Sequence, residues 1–262
     1  MRIKTLHLRD YCGYRETTFD LNRDFSCFYG PNGCGKTTAL NVIMTLCSSL
    51  DYRDDMRRKM ALKPYIRDGA ASFEVNGLFE HEGKEYEVVF TQDGFEKNEI
   101  LNKEFWWPGL AYFAKFDADT RVFCLPSEKW ERFKEYYDGI FGYNIEPDFY
   151  EMDDGSGEKE TIVAGFYLYK PQGKVSFERA SAGEKKAAKS LSQIVNLPDE
   201  RLPNIVLVDN LEMHVYYRRH LTMFETVKNM FEGMQVISTT HSTVVVENYE
   251  PKTDLIDVEQ FL

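Results

Sequence analysis

The chain has 262 residues, 43% hydrophobic and 15% aromatic, with a formal net charge of −11. That composition supplies a sizeable core and excludes a disordered chain, and the length suits one α/β domain with an inserted subdomain. The acidic balance excludes a broadly basic nucleic-acid-binding surface while leaving room for a local patch.

Residues 1–9 alternate apolar and polar side chains and read as an amphipathic strand. Residues 10–14 read as a turn and Arg15 to Leu21 as a second strand, so an antiparallel pair leads the chain. Phe25 to Tyr29 is an apolar strand. It runs into Gly30-Pro31-Asn32-Gly33-Cys34-Gly35-Lys36-Thr37-Thr38, which fits the phosphate-loop pattern G-x-x-x-x-G-K-[ST]. The glycines let successive N–H groups turn toward one anion, and a helix expected over 39–50 adds its dipole. Lys36 is expected to reach the β- and γ-phosphates and Thr37 to ligate Mg²⁺.

The stretch 51–67 mixes Arg53, Arg57, Arg58, Lys59 and Lys63 with Asp51, Asp54 and Asp55. It reads as a solvated helix face, with a phosphate-backbone contact as the alternative. Residues 71–79 and 85–90 form a predicted hairpin, and Gln92-Asp93-Gly94 a further turn. The segment 101–125 is aromatic and irregular, including Phe105, Trp106, Trp107 and Pro108. From Ser127 to Phe141 a helical period carried by Trp130, Phe133, Tyr137 and Phe141 points to core packing rather than base stacking. Asp153 to Gly157 reads as a tight turn, and 162–170 with 174–177 as another hairpin. No heptad repeat is sustained, so a long coiled coil is not expected.

Ser181-Ala182-Gly183-Glu184 opens a helix-friendly run and offers a second anion site at a helix N-terminus. Asn204 to Val208 is a buried strand ending in Asp209, placed to enter a Mg²⁺ shell. Asn210, Glu212 and His214 follow. Gln235 to Thr240 is another strand, ending at His241 and Ser242. The five cysteines, Cys12, Cys27, Cys34, Cys47 and Cys124, show no C-x-x-C spacing, so free thiols in a reducing compartment are expected. No apolar run reaches the ~18–20 residues of a membrane span, and a cytoplasmic protein is expected.

The succession of P-loop, Ser-x-Gly helix start, strand-Asp and strand-Thr-His resembles the ABC-type ATPase heads of the SMC/RecF/OLD-like branch, over roughly residues 1–50 and 175–245. The resemblance implies an α/β P-loop NTPase fold with an N-terminal antiparallel β subdomain and a helical and hairpin insertion. One domain is expected over 1–262: P-loop and β subdomain in 1–100, insertion or lid in 101–178, signature half in 179–262. It implies ATP and Mg²⁺ as cofactors. Gly30, Asn32, Gly33, Gly35, Lys36, Thr37 and Thr38 would bind phosphate, with Thr37 and Asp209 at the metal. Ser181 and Gly183 would cap the γ-phosphate of a partner's ATP, and His241 would sense it. A homodimer or paralogue dimer through the nucleotide sites, plus a separate effector protein, would follow.

Three positions depart from that pattern. Asn210 stands where the family has a glutamate that polarises water; an amide orients water but takes no proton. Glu212 is then a candidate replacement, as base or Mg²⁺-shell residue. No glutamine loop is evident, with Ser72 or Gln92 as candidates by position, and Arg15 is the nearest match to a nucleotide-contacting arginine. Glu212, His214 and His220 as a metal cluster is the disfavoured alternative. Neither Asp54-Asp55 nor Asp153-Asp154 makes a nuclease-like carboxylate cluster. Two functions stay open: an ATPase driving a partner, in a nucleic-acid-related or anti-phage defence complex or in DNA repair and maintenance, and a slow ATP-gated scaffold.

Overall fold

The computed structural model describes residues 1–47, 63–101, 103–104, 111–115, 123–153, 159–197, 203–210, 212 and 215–261. The basic residues at 53–59, the Phe105–Pro108 aromatics, the turn after Asp153 and His214 lie outside these, as does the Lys63 side chain.

The chain opens as expected, with β1 (Arg2–Tyr11) and β2 (Tyr14–Asp20) antiparallel. They join β4 (Glu74–His81), β5 (Lys84–Thr91) and β6 (Gly94–Asn98) in an antiparallel sheet of order β2-β1-β4-β5-β6. A second sheet is wholly parallel, in the order β14-β3-β13-β12-β7. Its members are β3 (Phe25–Tyr29), β7 (Ala111–Lys115), β12 (Ile205–Asp209), β13 (Gln235–Thr240) and β14 (Leu255–Asp257). Both faces of such a sheet must be covered, and the residues of β12 divide accordingly. Ile205 and Leu207 join one core with the antiparallel sheet and α1 (Lys36–Cys47). Val206 and Val208 join another core with α2 (Trp130–Phe141), α3 (Ala182–Val195) and α4 (His220–Met230).

A third sheet caps this second core. Its long strand β10 (Lys159–Lys170) pairs along one side with β9 (Asn144–Asp153), and on the other with β8 (Leu125–Pro126) and β11 (Gly173–Ser176). Trp130, Phe133, Tyr137 and Phe141 are buried here, and Phe133 and Tyr137 pack edge-on to Phe166. These aromatics are core, as the helical period predicts.

Several boundaries shift. Helix α1 starts at Lys36, not residue 39, because the phosphate loop delivers its last residues directly into the first turn. The first hairpin begins at Glu74 rather than residue 71, and its turn at Gly94 leads into an extra strand, β6. The irregular stretch 101–125 contains the edge strand β7. Strand β9, helix α4, helix α5 (Thr243–Asn248) and β14 are additional elements.

One buried side chain bolts the two main sheets together. Gln235, 3% exposed at the start of β13, accepts from the Ile3 N–H at 2.7 Å. Its amide donates to the carbonyls of Ile3 at 2.8 Å and Leu21 at 2.6 Å. Buried amides must be satisfied, and this one is satisfied by β1 and by the chain that follows β2.

Candidate nucleotide site

Three parallel strands end at one place, and their C-terminal residues build the site. From β3 comes the phosphate loop. Its tight turn depends on Gly35, whose φ of +93° lies in the region disfavoured for side chains. A Cβ there would also meet the Tyr14 hydroxyl at 2.6 Å. Tyr14 is fully buried and its hydroxyl has no hydrogen-bond partner, so it acts as a wedge beneath the loop. Gly35→Ala is therefore expected to cost about 1–3 kcal/mol of stability and to weaken nucleotide binding; thermal unfolding and a nucleotide titration check both, and a wild-type melting temperature would contradict it.

Lys36 is 4% exposed. Its ammonium donates to the carbonyls of Gly30 and Pro31, both at 2.8 Å. The charge is thus held inside the ring of the loop, beside the N-terminus of α1. Cys34 is buried and fills the floor of the loop.

From β12 comes Asp209, 5% exposed. The Thr37 hydroxyl lies 3.0 and 3.1 Å from its two carboxylate oxygens. Thr239 of β13 donates to it at 2.7 Å and in turn accepts from the Asn210 N–H at 2.8 Å. This hydroxyl relay locks the ends of β12 and β13 in register. Asn210 has a φ of 52°, left-handed backbone that asparagine tolerates far better than most residues. A hydroxyl and a carboxylate converging beside a lysine is a donor set that fits a hard divalent cation.

From the end of β13 comes His241, which is exposed. Its backbone N–H donates to Glu212 Oε1 at 2.6 Å. Glu212 is 7% exposed and its other carboxylate oxygen is buried with no partner. A cavity of about 810 Å³ opens here, lined by Gly30, Pro31, Asn32, Asn210, Thr240 and His241 among others. Gly33, Gly35, Lys36, Thr37, Thr38, Asp209 and Glu212 do not line it, nor do Ser72, Gln92 and Arg15. Gln92 accepts from the Phe73 N–H in its own hairpin. His220 is engaged at both ring nitrogens, Nε2 donating to the Val215 carbonyl and Nδ1 accepting from the Ser242 hydroxyl, each at 2.8 Å. Among the described residues no three His, Cys, Asp or Glu side chains form a metal cluster.

Ser181 lies elsewhere. It caps α3 in a reciprocal box: the Glu184 N–H donates to its hydroxyl at 3.3 Å, and its own N–H donates to Glu184 at 2.8 Å. Lys170 pairs with the same carboxylate at 2.7 Å. Burial pulls the Glu184 pKa up, but the Lys170 and Ser181 hydrogen bonds outweigh it, and the net shift is below the ordinary value of 4.5. A depressed folded pKa means stability that is present above 4.5 and lost as pH falls through the lower folded value. The melting temperature of Glu184→Gln is thus expected to lie below wild type at neutral pH and to converge on it at acid pH; a gap that widens on acidification would contradict this. Ser181 lines a separate cavity of about 560 Å³ that shares no lining residue with the first.

This fold and site define an ATP-binding head of the ABC type. The AAA_23 family, described as an AAA domain, matches residues 5–257, and the chain belongs to it. The DNA replication and repair protein RecF of Cytophaga hutchinsonii is 24% identical over 159 residues, 55% of this chain and 41% of that protein. The chain therefore spans less than half the length of this curated relative. Among solved structures, an SMC head bound to the C-winged helix domain of ScpA superposes with a TM-score of 0.64 at 16% identity, covering 95% of this chain and 92% of that one. The recombination mediator RecF with ATPrS superposes with a TM-score of 0.54 at 13% identity, covering 98% and 94%. These likenesses place the fold in the SMC/RecF branch. Among the described residues no helix is long and apolar enough to cross a membrane.

Proposed function

We propose that this protein is an ATPase head that closes on a second copy, or on a paralogue, around ATP and so controls a separate effector protein. The separation of Ser181 from the phosphate loop carries this reading. One chain brings Gly30, Asn32 and His241 to one cavity, with Asp209 bonded to Thr37 of the same loop, but lines a different cavity with Ser181. A nucleotide held by one loop would then be completed by Ser181 and Gly183 of the other subunit. Thr37 and Asp209 would hold Mg²⁺, which supplies charge neutralisation at the phosphates. Lys36 would turn its ammonium to the β- and γ-phosphates, and His241 would face the terminal one.

Hydrolysis forms a bond from the water oxygen to the γ-phosphorus and breaks the bond to the bridging oxygen, leaving ADP and phosphate. Asn210 would orient the water but cannot take its proton, which passes to phosphate or solvent. That supports slow turnover, in which ATP acts chiefly as a clamp. The likeness to RecF supports a role in DNA maintenance over anti-phage defence. The charge of −11 argues that any contact with nucleic acid is made with the effector's help.

Light scattering with and without ATP tests the clamp, and single-turnover hydrolysis tests the chemistry. An ATP-dependent dimer with slow hydrolysis is expected. A protein that stays monomeric with saturating ATP and with a slowly hydrolysed analogue would sink the proposal.

A further inference from the structure

We propose that Arg218 and Arg219 reach across to the nucleotide of the second copy and supply positive charge at its terminal phosphate. This rests on the reading that two heads close on ATP. The cavity at Ser181 is walled by Tyr143, Tyr216, Arg218 and Arg219. The one acid in its wall, Glu184, is already paired with Lys170 and with the Ser181 N–H. Both arginines are exposed, and no carboxylate among the described residues pairs with either. Arg218 donates through Nε to the Tyr217 hydroxyl at 3.1 Å. Arg219 lies against Gly142, where an added Cβ would meet its Nη2 at 3.1 Å. Two adjacent guanidinium groups in one hollow of a chain carrying −11 make a site for a multiply charged anion. The fork of an arginine matches a phosphate group.

The segment is also held in place. Val215 is buried, its N–H donates to the Glu212 carbonyl at 3.1 Å, and its carbonyl accepts from His220, which is bonded to Ser242. The arginines thus hang from the loop that leaves Asp209 and are tied to the residue after His241. A triphosphate is the class of ligand that Ser181, the α3 N-terminus and two guanidinium groups would receive together. Charge given in trans to a transferring phosphoryl group offsets a weak water-activating residue, and here that residue is Asn210.

Mixing two variants of the full chain tests the assignment. Lys36→Ala removes the lysine of the phosphate loop; the double variant Arg218→Ala with Arg219→Ala removes only the exposed cations. Each alone is expected to lose about tenfold or more of ATP-dependent dimerisation and hydrolysis. The arginine variant is expected to bind a fluorescent ATP analogue as a monomer with wild-type affinity. In a mixed dimer, one site combines an intact loop with intact arginines from the other subunit, so the equimolar mixture regains activity. No regain, or an arginine variant that dimerises and turns over like wild type, overturns the inference. A wild-type protein that never dimerises with ATP instead overturns the proposed function beneath it.

Discussion

Lys36→Ala is expected to bind ATP roughly 100-fold more weakly than wild type. The ammonium sits 2.8 Å from two loop carbonyls, inside the ring where phosphates would lie. Each charge-assisted hydrogen bond it would make is worth about 1.5–3 kcal/mol, and every 1.4 kcal/mol is tenfold in affinity, so two lost bonds at the lower end of that range give this magnitude. The loop also loses the cation that draws its carbonyls inward. Stability should change far less, because the cores on both faces of the parallel sheet do not include this side chain. Titration calorimetry checks the affinity. A dissociation constant within about threefold of wild type would mean that the loop holds its ligand without the lysine.

Substitutions at Glu212 separate two roles that the motif alone leaves open. The side chain is buried and bonded to the His241 N–H at 2.6 Å. That arrangement suits a tether for the histidine better than a base for water. As a tether, Glu212→Gln keeps an acceptor for the His241 N–H, and single-turnover hydrolysis is expected to stay within about threefold of wild type. Glu212→Ala removes the acceptor, leaves the part-buried His241 N–H without it, and is expected to slow turnover about tenfold or more. As a base, both variants would be equally inactive. A Gln variant as inactive as the Ala variant, while still folded by circular dichroism, would therefore restore the base reading.

The motif residues were legible in sequence because each is fixed by local chemistry. Glycines must turn the loop, lysine must follow them, and a carboxylate must end a buried strand. The α/β class followed from the alternation of apolar strands with helical periods. What stayed hidden depends on contacts distant in the chain. Thr239 meets Asp209 only because β12 and β13 lie parallel in one register. Strand β9 carries Phe149 and Tyr150 exposed and Glu146, Asp148 and Glu151 along its length, so it lacks the alternation of a half-buried strand. Strands β7 and β14 have five and three residues, too short for a period to emerge. Arg218 and Arg219 acquire meaning only once folding sets them beside Ser181.

Gln235 and His241 stand at opposite ends of β13. The first is bolted to β1 and to the chain after β2; the second lines the candidate nucleotide cavity. A strand of six residues is about 20 Å long and nearly inextensible. Displacement at the histidine end is therefore carried along the strand as a push or a pull to the antiparallel sheet. In mechanical terms β13 is a connecting rod, and Gln235 is the pin that makes the two sheets swing as one body.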